Sequence, residues 1–276
     1  MASKFRGKSN TWHSSYAGHQ LLATGHCKGN MIQAVIFDFN GVLVDDEAVH
    51  FELFREVLAE EGLVMTDRDY HDRYLGYDDR GCFAAALGDA GQAFDHERLE
   101  GLIDRKARRY VEVADAGLRF FPFAAETLAS IAVRWPVAIC SGALRSEIEY
   151  ALERLNRRAQ VAAIIAAEDA HKCKPDPAGY LRSLDALRTH IQARSHSSPG
   201  TVLVARECLV IEDSLAGIVS AKGAGMQAIG ITHTYNAPRL RQSGADAIID
   251  GLETLTPAWI DHHFDRVKDN PAARPR

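Results

Sequence analysis

The sequence predicts an α/β fold, a doubly wound parallel sheet of Rossmann-like type with an inserted all-helical unit. Three observations predict it. Short, nearly continuous apolar runs recur along the chain, as expected of strands buried on both faces of a sheet. Helical segments alternate with these runs, as crossovers between parallel strands require. One long interval, between the first and second runs, contains helical patterns only.

The opening strand is read at Ile32–Phe39, and further strands at Val137–Cys140, Val161–Ile165, Cys208–Ile211, Gln227–Ile231 and Ala247–Ile249. Helices between the later strands are read at Glu147–Asn156, Ala178–Leu187 and Leu215–Ala224. The long interval holds four more, at Glu47–Glu61, Asp67–Tyr74, Gly81–Ala90 and Arg98–Ala114. A right-handed crossover needs far fewer residues, so 46–117 reads as a helical cap domain inserted into a core formed by 31–45 and 118–276. Residues 1–30 carry Lys4, Arg6, Lys8 and Lys28, no acid and no sustained periodicity. Three readings compete for them. A disordered extension, or an over-long start ahead of Met31, is favoured over an organelle transit peptide, which should be richer in Arg and amphipathic.

The chain has 276 residues, of which 46% are hydrophobic and 25% charged, enough to bury a core without disulfides. Lys and Arg number 32 against 37 Asp and Glu, a net charge of −5, which offers no electrostatic footprint for nucleic acid or an anionic membrane. Apolar runs such as Val161–Ala167 fall far short of the roughly 20 residues that span a bilayer. The five cysteines are scattered with no C-x-x-C pair, which fits a reducing, cytoplasmic setting. No hydrophobic stripe exceeds what the core needs, so a monomer or weak dimer is expected.

Ligands of open α/β sheets bind beyond the carboxyl ends of the strands. Those ends carry Asp38-Phe39-Asn40-Gly41, Ser141-Gly142, Lys172-Cys173-Lys174-Pro175 and Glu212-Asp213-Ser214. Each alone reads as a turn, a solvated loop or a helix cap. Together they assemble three carboxylates, a hydroxyl, a lysine and a glycine turn on one edge, a set suited to phosphoryl transfer. Carboxylates hold Mg²⁺, lysine and hydroxyl neutralise phosphate oxygens, and a carboxylate in line with phosphorus can attack it.

Val35-Ile-Phe-Asp-Phe-Asn-Gly-Val-Leu-Val-Asp45 resembles the first motif of the haloacid dehalogenase-like superfamily. Ile139-Cys-Ser141, Lys174-Pro-Asp-Pro177 and Val210-Ile-Glu-Asp-Ser-Leu-Ala-Gly-Ile218 resemble the second, third and fourth, the last two being most similar to the β-phosphoglucomutase and phosphoglycolate phosphatase branch. The resemblance implies Asp38 as nucleophile and Mg²⁺ ligand, with the Asn40 carbonyl and Asp213 as further ligands beside Glu212. It implies Ser141 and Lys174 as phosphoryl-binding catalytic residues, with Gly41 and Gly142 lining the substrate. In the cap, His50, Tyr77 and Arg80 are expected at the substrate. The implied substrate is a small phosphorylated metabolite.

The sequence departs from the pattern at Asn40, where the family's phosphatases and mutases carry an Asp that transfers protons. Losing a positioned acid/base costs on the order of 10²–10⁴-fold in rate. Three functions follow: a phosphatase assisted by another side chain such as His50, Asp45, Asp46 or Glu47; a β-phosphoglucomutase-type mutase; or a phosphometabolite-binding protein. Asp45 and Asp46 equally read as caps of the helix beginning at Glu47. A phosphonatase-like route through a cap lysine would hang on Lys106 alone and is disfavoured.

Overall fold

A computed structural model describes residues 32–170, 172–194 and 202–264. The expectations for residues 1–30 lie outside them. Six strands form one parallel sheet: β1 (Ala34–Phe37), β2 (Val137–Cys140), β3 (Val161–Ile165), β4 (Cys208–Glu212), β5 (Gln227–Ile231) and β6 (Ala247–Ile249). Their order is β3-β2-β1-β4-β5-β6, so the chain winds outward on one side of β1 and then returns to wind outward on the other. The reversal beside β1 opens a crevice at the carboxyl ends of β1 and β4.

Both faces of the sheet are covered, which is why the strands read as unbroken apolar runs. In β1, Val35 and Phe37 join one core layer with Leu128, Ile131 and Leu152, while Ala34 and Ile36 join the other with Tyr180, Leu184 and Ile218. The helices supplying these layers are α5 (Ala124–Arg134), α6 (Arg145–Arg154), α7 (Ala178–Arg194) and α8 (Leu215–Gly223), with α9 (Ala237–Gln242) and α10 (Pro257–Phe264) flanking the later strands. β1 is shorter than the apolar run suggested. Its extended backbone ends at Phe37, because Asp38 to Asn40 lead into a turn in which Gly41 adopts φ +74°.

Between β1 and β2 the described residues form helices and no named strand: α1 (Glu47–Glu60), α2 (Asp67–Asp69), α3 (Asp79–Asp89) and α4 (His96–Gly117) precede α5. Capping sets their starts. Asp78 accepts from Gly81 N at 2.7 Å and Asp95 from Arg98 N at 2.9 Å, which moves α3 and α4 two residues earlier than the periodicity indicated. α2 ends after one turn and passes into a π-helical turn over Tyr70–Tyr74. Along α4 the buried positions are Leu99, Leu102, Ile103, Lys106, Tyr110 and Ala114, the 3–4 spacing of one helix face. Leu99, Leu102 and Ile103 of that face pack with Phe54, Phe83 and Leu87 into a core separate from the two sheet layers, Phe54 and Phe83 meeting edge-to-face at 5.0 Å, while Tyr110 and Ala114 pack with Leu53. The buried polar members of the face, Lys106 and Tyr110, belong to the site described next.

Candidate active site

Asp38 N donates to Ile211 O at 3.0 Å, and this register sets Asp38 beside Glu212 and Asp213 at the end of β4. Lys174 enters from the loop after β3 with its Nζ 2.7 Å from Asp38 Oδ1 and 2.6 Å from Glu212 Oε1. Glu212 is fully buried and further bonded: Tyr180 OH donates to Oε1 at 2.7 Å, and Ser214 donates to Oε2 from N at 3.1 Å and Oγ at 2.8 Å. Neither Glu212 nor Asp213 caps the following helix. Ser214 does so, accepting from Gly217 N at 3.0 Å. Thr234, just beyond β5, donates to Asp213 Oδ2.

One oxygen each from Asp38, Glu212 and Asp213 lie within 4.8 Å of one another, the one group among the described residues that could hold a metal ion. Charge supports that use, because three buried carboxylates face a single lysine. Burial and then Glu212 push Asp38 up to about 7 against the opposing pull of Lys174. Burial, Glu212 and Asp38 hold Asp213 well above the usual carboxylate range. A hard divalent cation relieves such a deficit, and Mg²⁺ favours one or two carboxylates with water and phosphate. The turn is also built close. A Cβ on Gly41 would lie 2.1 Å from Asp213 Oδ2, so only glycine lets this backbone approach. His233 holds the same turn, its Nδ1 at 2.8 Å from Gly41 O and its ring stacked on Phe121 at 3.7 Å.

Asn40 is bonded on both sides of its amide. Its Nδ2 lies 3.0 Å from each oxygen of Asp46 and 3.1 Å from His50 Nε2, while its Oδ1 accepts from Ser141 Oγ at 3.2 Å. A carboxylate only accepts, so the amino group must face Asp46 and the amide oxygen must face Ser141. Asp46 sits at the N-cap position of α1 yet makes no capping bond. Its carboxylate instead takes Asn40, the Tyr110 hydroxyl at 2.6 Å and His50 Nε2 at 3.3 Å. Burial pushes the Asp46 carboxyl upward, but His50, Tyr110 and Asn40 outweigh it and hold it below the usual range. Behind His50, Lys106 is sealed from solvent, with Nζ 2.8 Å from His50 Nδ1 and 2.7 Å from Asp79 Oδ1.

A cavity opens over this edge. It is lined by Asp38, Asn40, Ser141, Gly142, Lys174 and Asp213 from the sheet side, and by His50, Tyr77, Asp78 and Asp79 among others from the helical insertion. Gly41 and Glu212 lie behind the lining rather than in it. Arg80 is not brought in: it pairs with Glu100 and approaches His96 Nδ1 at 3.5 Å on the surface. Sequence reasoning missed Thr234, Tyr180 and Tyr110. Thr234 obeys the strand-end rule already applied to the other strands and was open to discovery; the two tyrosines read as ordinary core positions.

The model for the haloacid dehalogenase-like hydrolase family matches residues 35–231. The chain belongs to that family. A phosphorylated carbohydrates phosphatase from Thermotoga maritima is 28% identical over 228 residues, 81% of this chain and 97% of its own. A phosphoglycolate phosphatase from Yersinia pseudotuberculosis is 25% identical over 84% of this chain and 94% of its own. The crystal structure of β-phosphoglucomutase from Clostridium difficile superposes with a TM-score of 0.72 at 20% identity, covering 85% of this chain and 98% of that one, which establishes the shared fold. Among the described residues no helix is long and apolar enough to cross a membrane.

Proposed function

We propose that this protein is a Mg²⁺-dependent phosphatase of small phosphate monoesters that works through an aspartyl-phosphate on Asp38. The observation that carries the reading is Asp38 itself. It is buried at the topological switch point, tied to Lys174 at 2.7 Å, and flanked by two further carboxylates at the floor of a cavity. The phosphatases among its relatives lend support.

Asp38, Asp213 and the Asn40 carbonyl would hold Mg²⁺, with Glu212 bracing Lys174 from behind. Bound there, the ion supplies charge neutralisation for the phosphoryl oxygens and orients them for in-line attack. Asp38 Oδ1 is committed to Lys174, which leaves Oδ2 to attack phosphorus as the ester P–O bond breaks and the alcohol departs. Lys174 and Ser141 offset the charge that gathers on the equatorial oxygens. Water then attacks the aspartyl-phosphate, releasing phosphate and restoring Asp38.

Asn40 gives the site its particular character. Its amide oxygen is turned toward Ser141 and can orient a water, but it cannot take or give a proton. A mutase would need proton transfer at this point in both of its half-reactions, whereas in a phosphatase the water that attacks the aspartyl-phosphate can pass its proton to the departing phosphate, leaving the alcohol as the group that needs one supplied. His50, paired with Asp46 and lining the same cavity, is the group we assign to carry that proton. Mg²⁺-dependent phosphate release from p-nitrophenyl phosphate, run beside Asp38→Asn, tests the reading. Turnover that survives in Asp38→Asn would overturn it.

A further inference from the structure

Away from the cavity lining stands a carboxylate whose surroundings leave it short of partners. Glu147 lies in the first turn of α6, 3% exposed, with Oε2 accepting from Leu144 N at 3.1 Å. Its Oε1 is sealed from water and has no hydrogen-bond partner. That state costs free energy, and more so when the group is charged. The face of α6 that carries Glu147 meets the helical insertion: Leu144, Glu147, Tyr150 and Arg154 recur every three to four residues. Leu144 packs against the core of the insertion, and Tyr150 against the cluster of Leu53, Tyr110 and Ala114. Tyr150 OH donates to Asp115 of α4, which Arg154 Nη2 also approaches at 3.4 Å. Glu147 therefore sits inside the seam that docks the insertion on the sheet domain.

The charged groups that bear on Glu147 come from three helices of the insertion: Lys106 of α4, Asp79 of α3 and His50 of α1. Lys106 is committed elsewhere. Its Nζ lies 2.7 Å from Asp79 Oδ1, 2.8 Å from His50 Nδ1 and 4.7 Å from the centre of the Phe54 ring, and it forms no ion pair with Glu147. His50 is matched by Asp46, which also takes the Tyr110 hydroxyl. Asp79 in turn keeps its second oxygen, Oδ2, sealed from water and unbonded. Among the described residues these are the two carboxylate oxygens so placed, one on each side of the seam. Two ionised carboxylates can only accept, so neither can satisfy the other until one of them carries a proton.

We propose that Glu147 is a positioning residue that holds the insertion, and with it His50, over the active site, as a protonated acid whose Oε1–H donates to Asp79 Oδ2. One proton then satisfies both oxygens and ties α6 to α3, while Lys106 keeps its bond to His50. Burial pushes the Glu147 carboxyl above its usual range, with Asp79 adding to it, against the pull of Lys106, His50 and the Leu144 N–H. Ionisation sets two buried carboxylates against each other across the seam with one lysine between them, so the insertion loosens as pH rises. The docking claim stands apart from the phosphatase reading, and only its effect on turnover rests on that reading.

Glu147→Gln tests it, because the amide reproduces the acid: its oxygen accepts from Leu144 N and its amino group donates to Asp79. Thermal unfolding of wild type and variant is compared from pH 5 to pH 8.5 in saturating Mg²⁺. A carboxyl raised in the folded state contributes stability that is full below its unfolded value and is lost as pH climbs through the folded one. The two proteins should melt within about 2 °C of each other at pH 5, and the variant should melt higher by about 4 °C or more at pH 8.5. Glu147→Leu, which offers no donor, should melt below wild type already at pH 5. With p-nitrophenyl phosphate, the kcat of Glu147→Gln relative to wild type should rise with pH, which a packing role alone would not produce. A Glu147→Gln protein that fails to fold or melts below wild type at every pH overturns the proposal, since the amide supplies both bonds. A difference in Tm that does not change with pH overturns it too, and turnover by wild type would then leave the phosphatase reading intact. If the difference grows with pH while neither protein turns over, the docking stands and the phosphatase reading fails.

Discussion

Restoring the family's aspartate at position 40 should damage the protein rather than repair it. In Asn40→Asp the amino group that now donates to both oxygens of Asp46 at 3.0 Å becomes a carboxylate oxygen. Two carboxylates whose charge centres lie about 4 Å apart repel by ~4 kcal/mol at an effective dielectric of 20. The alternative is for the pair to capture a proton. From a reference pKa of 3.8, that costs ~4 kcal/mol at pH 7 and under ~2 kcal/mol at pH 5, at about 1.36 kcal/mol per unit. Either route predicts a loss of about 3–4 kcal/mol at neutral pH. For a domain of this size, each kcal/mol lowers Tm by about 2–4 °C.

Thermal unfolding of wild type, Asn40→Asp, Asp46→Asn and the double variant at pH 7.5 and pH 5 checks this reasoning as a double-mutant cycle. The single Asn40→Asp variant should lose about 10 °C at pH 7.5, and less at pH 5. The double variant should recover most of the loss, because Asn at 46 can donate to Asp at 40 and still accept from Tyr110. Turnover should rise in the double variant and not in the single. A single variant as stable as wild type at pH 7.5, or a double variant no better than the single, would refute the coupling.

Other outcomes follow from the same geometry. Lys174→Met removes the one cation between Asp38 and Glu212, so it should abolish turnover and destabilise the Mg²⁺-free protein by about 3–5 kcal/mol, read by urea denaturation. Asp38 is held near 7 when folded against 3.8 unfolded; a raised carboxyl contributes stability below pH 4 that fades as pH climbs to 7. The Tm of chelator-treated protein should therefore fall across that window, and Mg²⁺ should raise Tm more at pH 7.5 than at pH 5, measured by scanning calorimetry. Gly217→Ala sets a Cβ 1.7 Å from Glu212 Oε1 and should displace the brace on Lys174, lowering both Tm and kcat. A Gly217→Ala variant with wild-type kcat would argue against that brace.

Much of the sheet and its edge was legible because parallel strands buried on both faces leave continuous apolar runs, and because a polar residue ending such a run has only one place to go. Asp38, Ser141, Lys174 and Asp213 all came from that rule, and all line one cavity. The same rule reaches Thr234 after β5, where it was not applied. Arg80, expected at the substrate, pairs with Glu100 outside the cavity lining for a different reason. A two-residue offset, roughly half a turn, decides whether a side chain meets the cavity or the neighbouring α4, and Asp78 rather than Arg80 faces inward because Asp78 caps α3. Lys106 looked inert in mid-helix, yet a fully buried lysine needs a carboxylate partner, and Asp79 supplies it from α3 across the insertion.

Positions 40 and 46 show why the departure from the family pattern was only half readable. The sequence displays an aspartate missing at 40 and an ambiguous aspartate at 46, and nothing in their spacing says that they touch. Contact arises because the Gly41 turn reverses the chain, with Gly41 N donating to Val44 O at 2.9 Å, and so folds the start of α1 back over Asn40. Once they touch, the two identities constrain each other. A carboxylate at 46 that is buried and accepting from Tyr110 requires a donor at 40, and Asn is the residue isosteric with Asp that donates. The carboxylate has not been lost from this corner of the site. It stands one residue deeper, against His50, where it orients an imidazole instead of facing the phosphoryl group itself.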